Sequence, residues 1–310
     1  MTEFLQHLVN GLSLGTIYAL IALGYTMVYG VLKLINFAHG DVYMVGAFAG
    51  YYLGSVLGVR DVPSVAKAAL VTIGAMAICG ALGWVIERFA YRPLRHRARL
   101  TALITAIGVS FLLEFGFQLN PIVRSPIEFP PGPSPRFFPA LVELGEPLDL
   151  FGATVQRIDV VGFVVAILLM LALRWIVYRT RFGTAMRAVS FDSQVAGLMG
   201  IPVNRIISGT FVLGSALAAA AGIINASSRP RIEPLMGLMS GLKAFVAAVL
   251  GGIGSVPGAM AGGVLLGLVE EFVSGYTSSR YRDAIAFTVL ILVLLVRPEG
   301  LFGKGRVEKV

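Results

Sequence analysis

The feature that most constrains this chain is a run of nine apolar stretches in 310 residues. Several approach the roughly 20 residues a helix needs to cross the hydrocarbon of a bilayer. They lie at about 8–32, 42–58, 65–86, 100–118, 160–177, 206–224, 244–256, 258–272 and 284–296. A soluble fold of this length could not bury so much apolar side chain, because a large share of its surface must face water. Charged residues make up 14% of the chain, against about 25% in soluble domains, and the mean hydropathy is +0.82. The expected fold class is all-α: a polytopic membrane protein with about eight to nine transmembrane or half-spanning helices.

Basic loops predict the orientation. Arg88, Arg92, Arg95, Arg97 and Arg99, with Glu87 the one acid among them, separate the third and fourth stretches. Arg179, Arg181, Arg187 and Arg205, against Asp192, separate the fifth and sixth, and the tail carries Arg297, Lys304, Arg306 and Lys309. The positive-inside rule puts all three in the cytoplasm. The proline-rich loop at 119–158, where Arg124, Arg136 and Arg157 are outnumbered by acids, then lies outside, as does the N-terminus. The +8 net charge is read as cytoplasmic loops facing anionic headgroups rather than as a nucleic-acid surface. The first stretch lacks a basic lead and a small-residue cleavage site, so it reads as a retained span. Cys79 is the single cysteine, and His7, His39 and His96 show no metal-ligand spacing.

Two places interrupt the apolar pattern. Lys33–Asp41 breaks the stretch from Leu8 to Gly58, and Gly251-Gly252-Ile253-Gly254-Ser255-Val256-Pro257-Gly258 divides 244–272 into two short arms. Counting two arms rather than one span also returns the basic tail to the cytoplasm. Broken helices in both halves suggest an inverted-repeat transporter with its passage at the breaks. The chain then reads as one permease domain: a first helical half at 1–118, an external loop at 119–158, a span with a cytoplasmic segment at 159–205, and a second helical half at 206–310.

Asn36, His39 and Asp41 are the sharpest polar cluster. Ionisable groups at membrane depth normally face a cavity or a partner; alternatively, this is a short wet loop in which Asp41 caps the next helix. Phe37, Gly40, Gly251, Gly252 and Gly254 complete the candidate pathway. In the cytoplasmic segment, Asp192 suits an N-cap, Gly200 a C′ position and Pro202 a stop. Between them Val195, Leu198 and Met199 share one side of a short helix, which either docks a partner or lies on headgroups. Lys243 and Glu114 sit near the outer ends of their spans, where lysine snorkels to the interface; Lys67 reads as an interface anchor. No Walker A, His-Glu-x-x-His or Gly-x-Ser-x-Gly pattern is present, so the sequence offers no ATPase, zinc-protease or serine-hydrolase signature.

Over essentially its whole length the sequence resembles the branched-chain amino acid permeases of ATP-binding-cassette (ABC) importers, in particular their shorter H-type subunit. The likeness rests on Gly15-Thr16-Ile17-Tyr18-Ala19-Leu20-Ile21-Ala22-Leu23-Gly24-Tyr25 and Asn36–Asp41. It rests equally on Lys243-Ala244-Phe245 leading into Leu250–Ala259, and on the ending Leu295–Gly303. The resemblance implies a type II-like ABC importer permease that pairs with a second related permease subunit. Two cytoplasmic ABC ATPases would use ATP and Mg, leaving this chain with no bound cofactor, and an extracytoplasmic amino-acid-binding protein would deliver solute. It implies a transport subunit of the bacterial inner membrane rather than an enzyme. Arg187, Ser190, Asp192, Ala196, Leu198, Gly200 and Ile201 fall in the family's ATPase-coupling segment. Relatives that carry urea or short amides leave the solute open, and an ion-coupled secondary transporter or an intramembrane enzyme are the competing classes.

Overall fold

The computed structural model describes residues 2–59, 62–95, 97–123, 128–143, 145–150, 152–297 and 299–303. Arg124 and the tail residues Lys304, Arg306 and Lys309, used above for orientation, lie outside them. The long helices are α1 Thr2–Leu32, α2 His39–Val56, α3 Val65–Ile86, α4 Arg99–Gln118, α5 Arg157–Arg179, α8 Val203–Ser228, α9 Met236–Gly251, α10 Val256–Tyr276 and α11 Arg282–Val296. Two shorter helices, α6 Arg181–Phe191 and α7 Ser193–Leu198, join α5 to α8. Two small ribbons occupy the proline-rich end: β1 Arg136–Phe137 pairs with β4 Arg231–Ile232, and β2 Leu148–Leu150 with β3 Ala153–Val155. Among the described residues, six helices are long and apolar enough to cross a membrane: α1, α3 with its extension to Leu94, α4, α5, α8 and α10.

Burial sorts these helices into a core and a rim. The apolar windows of α1 and α8 are 89% and 72% buried, whereas those of α3, α4 and α5 are 33%, 22% and 28% buried. An apolar helix that shows most of its surface in a membrane protein faces lipid or a neighbouring subunit. In lipid, helices associate through close backbone packing of small residues, and both core helices are built that way. A Cβ on Gly15 would come 2.7 Å from Val264 Cα, so α1 and α10 pack backbone to backbone, running antiparallel. On α8, Gly222 abuts the Tyr43 carbonyl of α2.

The two interruptions are not alike. After α1 ends at Lys33, whose φ of 57° terminates the helix, the chain turns back into the bundle. His39, at the start of α2, stands against Gly24 on α1. About 12 Å of helix separates that level from the last turn of α1, so the break is inside the protein: Asn36, His39 and Asp41 are 3%, 1% and 1% exposed. The wet-loop alternative is therefore excluded. Asp41 does not cap the helix either; it sits in the first turn, with Ala38 at the N-cap.

The second interruption is tighter. Gly252 and Gly254 both have φ of +98°, a conformation reserved for glycine, and they join α9 to α10 within four residues. The expected two short arms become one short and one long. Helix α9 begins earlier than its apolar run, at Met236, and its 16 residues cover only about 24 Å. Helix α10 has 21 residues, enough for a full crossing. Small residues at Gly258, Gly262 and Gly263 let α10 start immediately after the turn.

Candidate functional site: a buried polar cavity and an exposed hairpin

Of the polar cluster at the first break, Asp41 lines a cavity of about 120 Å³. Its floor comes from three elements brought together by glycine. Gly40 packs on the backbone of Gly237 and Gly241 of α9, where a Cβ at Gly40 would lie 2.5 Å from the Gly237 carbonyl. Tyr25 enters from α1, edge-on to His39 at 4.8 Å between ring centroids. Phe37 leans on Phe245 at 6.2 Å. Helix α4 closes the far side with Ile107, Ser110 and Phe111. Ile107, Phe111 and Leu238 are also exposed on the outside of the chain, so the cavity borders an apolar outer face.

Asp41 is the acidic residue among those that line the cavity. Ser110 donates its hydroxyl hydrogen to Asp41 Oδ2. The Glu114 carboxyl, one turn further along α4 and 3% exposed, lies within hydrogen-bond reach of that of Asp41. Asn36 faces away from the cavity and accepts from the Tyr91 hydroxyl at 2.9 Å. Thus Phe37 and Asp41 line the space, Gly40 shapes it, His39 braces the start of α2, and Asn36 ties the break to the end of α3.

At the arginine-rich end, α6 and α7 form a hairpin hinged at Asp192. Its backbone N–H closes α6 on Ala188 O at 3.1 Å. Its side chain opens α7 by accepting from Gln194 N at 2.8 Å and Val195 N at 3.0 Å. The far end is a Schellman motif: Ile201 N donates to Ala196 O and Gly200 N to Gly197 O, both at 3.0 Å, with Gly200 at φ +81°. Ala196 points inward, Ser190 donates to Arg187 O at 2.9 Å, and Arg187 bonds the Val177 carbonyl and covers Tyr178. These contacts fix the hairpin to α5 and leave Phe191, Leu198 and Met199 at 93%, 88% and 79% exposed. Phe191 escaped the sequence reading because it falls outside the capped helix that carries the periodicity.

Residues 7–294 match the family described as the branched-chain amino acid transport system permease component. The chain belongs to that family. It is 45% identical over 308 residues to the high-affinity branched-chain amino acid transport system permease protein LivH of Salmonella typhimurium, covering 99% of this chain and 98% of that one. It is 44% identical over 309 residues to the corresponding BraD protein of Pseudomonas aeruginosa, at the same coverages. PsaBC from Streptococcus pneumoniae, solved in complex with Fab, aligns at TM-score 0.45 and 14% identity, over 96% of this chain and 93% of that one.

Within this permease the second glycine cluster lies apart from the cavity. Gly251 packs on Gly258, and Gly252 is covered by residues 299–303; Leu301 N donates to Leu250 O at 2.8 Å and Phe302 N to Gly251 O at 3.2 Å. Gly254 meets Gly30 of α1. The structure therefore seats residues 299–303 on the α9–α10 turn instead of bringing that turn to Asp41.

Two further clusters were not foreseen. Lys243 does not snorkel: only 7% exposed, it pairs with Glu270 at 2.7 Å and Asp283 at 2.6 Å. Tyr18 donates to Glu270 at 2.9 Å, and Arg282 joins Glu270 at 3.2 Å and Glu271 at 2.7 Å, so the network ties α1, α9, α10 and α11. At the arginine-rich end, buried Glu87 accepts from Arg95 and Ser208, and Arg95 also donates to Asn204 at 2.7 Å. Burial pulls the Arg95 guanidinium below its ordinary range, while Glu87 opposes the shift. The contacts that assemble each cluster join distant parts of the chain: Tyr18 is 252 residues from Glu270, and Ser208 is 121 from Glu87.

Proposed function

We propose that this chain is half of the gated passage of an ABC importer for leucine, isoleucine and valine in the bacterial inner membrane. The observation that carries the reading is the pairing of two features in one chain. One is a polar cavity at a broken helix, bordering an apolar outer face. The other is a hairpin at the arginine-rich end, with three apolar side chains in the open. The names of the relatives, LivH and BraD, supply the solute class.

In this reading the arginine-rich end faces the cytoplasm and the N-terminus lies outside. A second related permease subunit covers the face at Ile107, Phe111 and Leu238. Two ATPases dock on hairpins such as α6–α7 through Phe191, Leu198 and Met199, and use ATP and Mg; this chain binds no cofactor and catalyses no reaction. An extracytoplasmic binding protein delivers the amino acid. When nucleotide draws the ATPases together, the hairpin, held to α5 and α8, moves the core helices, and the break at 33–38 allows α2 to move relative to α1. The inverted relation between the two halves belongs to the same proposal.

The test is co-purification of the ATPases from cells producing the whole transporter. Leu198→Asp and Gly200→Trp are expected to release them while the permease pair stays together. Retention of the ATPases by both variants would refute the hairpin's role.

A further inference from the structure

The Asp41 cavity carries more chemistry than a passage needs. Two carboxyls, 1% and 3% exposed, lie within hydrogen-bond reach of each other in apolar surroundings, so one shared proton leaves the pair a single negative charge. Buried acids are tolerated when they are paired or hydrogen-bonded, and an unpaired charge there is strongly unfavourable. The Ser110 hydroxyl satisfies one oxygen of Asp41 and the Glu114 carboxyl adjoins the other, so the remaining charge of the pair faces the cavity through Asp41. At about 120 Å³ the space is roughly tenfold what a single water needs, so it suits a small solute. Its other walls are Tyr25, Phe37, Ile107, Phe111, Leu238 and Leu242, apolar and aromatic side chains that match an alkyl group.

We propose that Asp41, backed by Glu114 and held by Ser110, is a recognition site for the ammonium group of a solute whose alkyl chain lies against that wall. The inference rests on the transport reading above and deepens it. The one carboxylate charge of a proton-sharing acid pair makes charge-assisted bonds to an ammonium group and gives no such bond to the neutral nitrogen of an amide. The permease thereby contributes its own discrimination between α-amino acids and neutral amides or urea.

The experiment uses the assembled transporter in nanodiscs without its binding protein, and reads contact by saturation-transfer NMR. The probes are L-leucine, 3-methylbutylamine, 3-methylbutanamide and 4-methyl-2-hydroxypentanoate. The wild-type complex should give at least fivefold stronger transfer to leucine and the amine than to the amide and the hydroxy acid. Asp41→Asn should reduce the amine signal at least fivefold, and Glu114→Gln should weaken it less. Equal signals from all four probes in the wild type, which needs no variant to fold, would overturn the proposal. So would an undiminished amine signal in an assembled Asp41→Asn complex. Failure of the transport reading looks different: the wild-type complex with its binding protein would not accumulate leucine on ATP, whatever its amine contacts.

Discussion

Replacing Lys243 with methionine separates a buried ion network from a snorkelling lysine by magnitude. An exposed pair contributes about 0.2–1 kcal/mol, whereas removing one partner of a buried pair costs about 3–5 kcal/mol because the other charge is left bare. The Lys243 and Glu270 side chains are 8% and 1% exposed, which places this pair in the second class. The Asp283 side chain is 53% exposed, so its contact with Lys243 counts at the surface value. Glu270 would still hold the Tyr18 hydroxyl at 2.9 Å and Arg282 at 3.2 Å, so its charge would not be fully bare. The expected loss for Lys243→Met therefore falls just below the buried range, at about 2–3 kcal/mol. The assay is equilibrium unfolding in mixed micelles, with the single variants and the double variant forming a cycle. Lys243→Met with Glu270→Gln, which removes both charges, should recover stability to within about 1 kcal/mol of wild type. A loss below about 0.5 kcal/mol for Lys243→Met would mean that the ammonium reaches solvent and that the network is incidental.

Three other outcomes follow from the geometry. Asp192→Ala removes the acceptor of two backbone N–H groups and should destabilise the hairpin by about 1 kcal/mol; hydrogen exchange at Gln194 and Val195 should rise about fivefold. Gly200→Val meets no neighbouring atom but must adopt φ +81°, so strain of about 1–2 kcal/mol should appear in unfolding with no change in the packing of α8. Gly24→Val would put a Cβ within 2.1 Å of the His39 ring, which is 1% exposed and has little room to retreat. Overpacking there should destabilise by about 1–3 kcal/mol, measurable as a lower melting temperature of the purified complex, with the Asp41 cavity displaced.

Much of this fold is legible in the sequence because lipid makes apolar length a strong signal. Helix α3 covers its apolar run of 65–86, and α4 begins within a residue of the expected position. Helix α7 was legible through its caps, since Asp192 and Gly200 have narrow local roles that a single sequence displays, whereas α6, which completes the hairpin, was not read. The start of α9 was not: Met236–Leu242 is only moderately apolar, and its helix is supported by glycines fitted to Gly40, a contact nearly 200 residues distant in the chain. The same limit hid the site. Asp41 stood out as an acid at a break, but its neighbours Ser110 and Glu114 come from another helix. Lys243 looked like an interface residue because its partners, Glu270 and Asp283, lie on α10 and α11. Glycine at 251–254 signalled a turn correctly, while the part of the chain that covers that turn was set by tertiary packing.

The central claim is that this chain forms part of an ATP-driven passage. It is tested most directly by leucine uptake into proteoliposomes. The account predicts accumulation only when this chain, a second permease subunit, the two ATPases, the binding protein and ATP are all present, and loss of uptake with Leu198→Asp. Accumulation by this chain alone, driven by an ion gradient with no ATPase in the membrane, would contradict it.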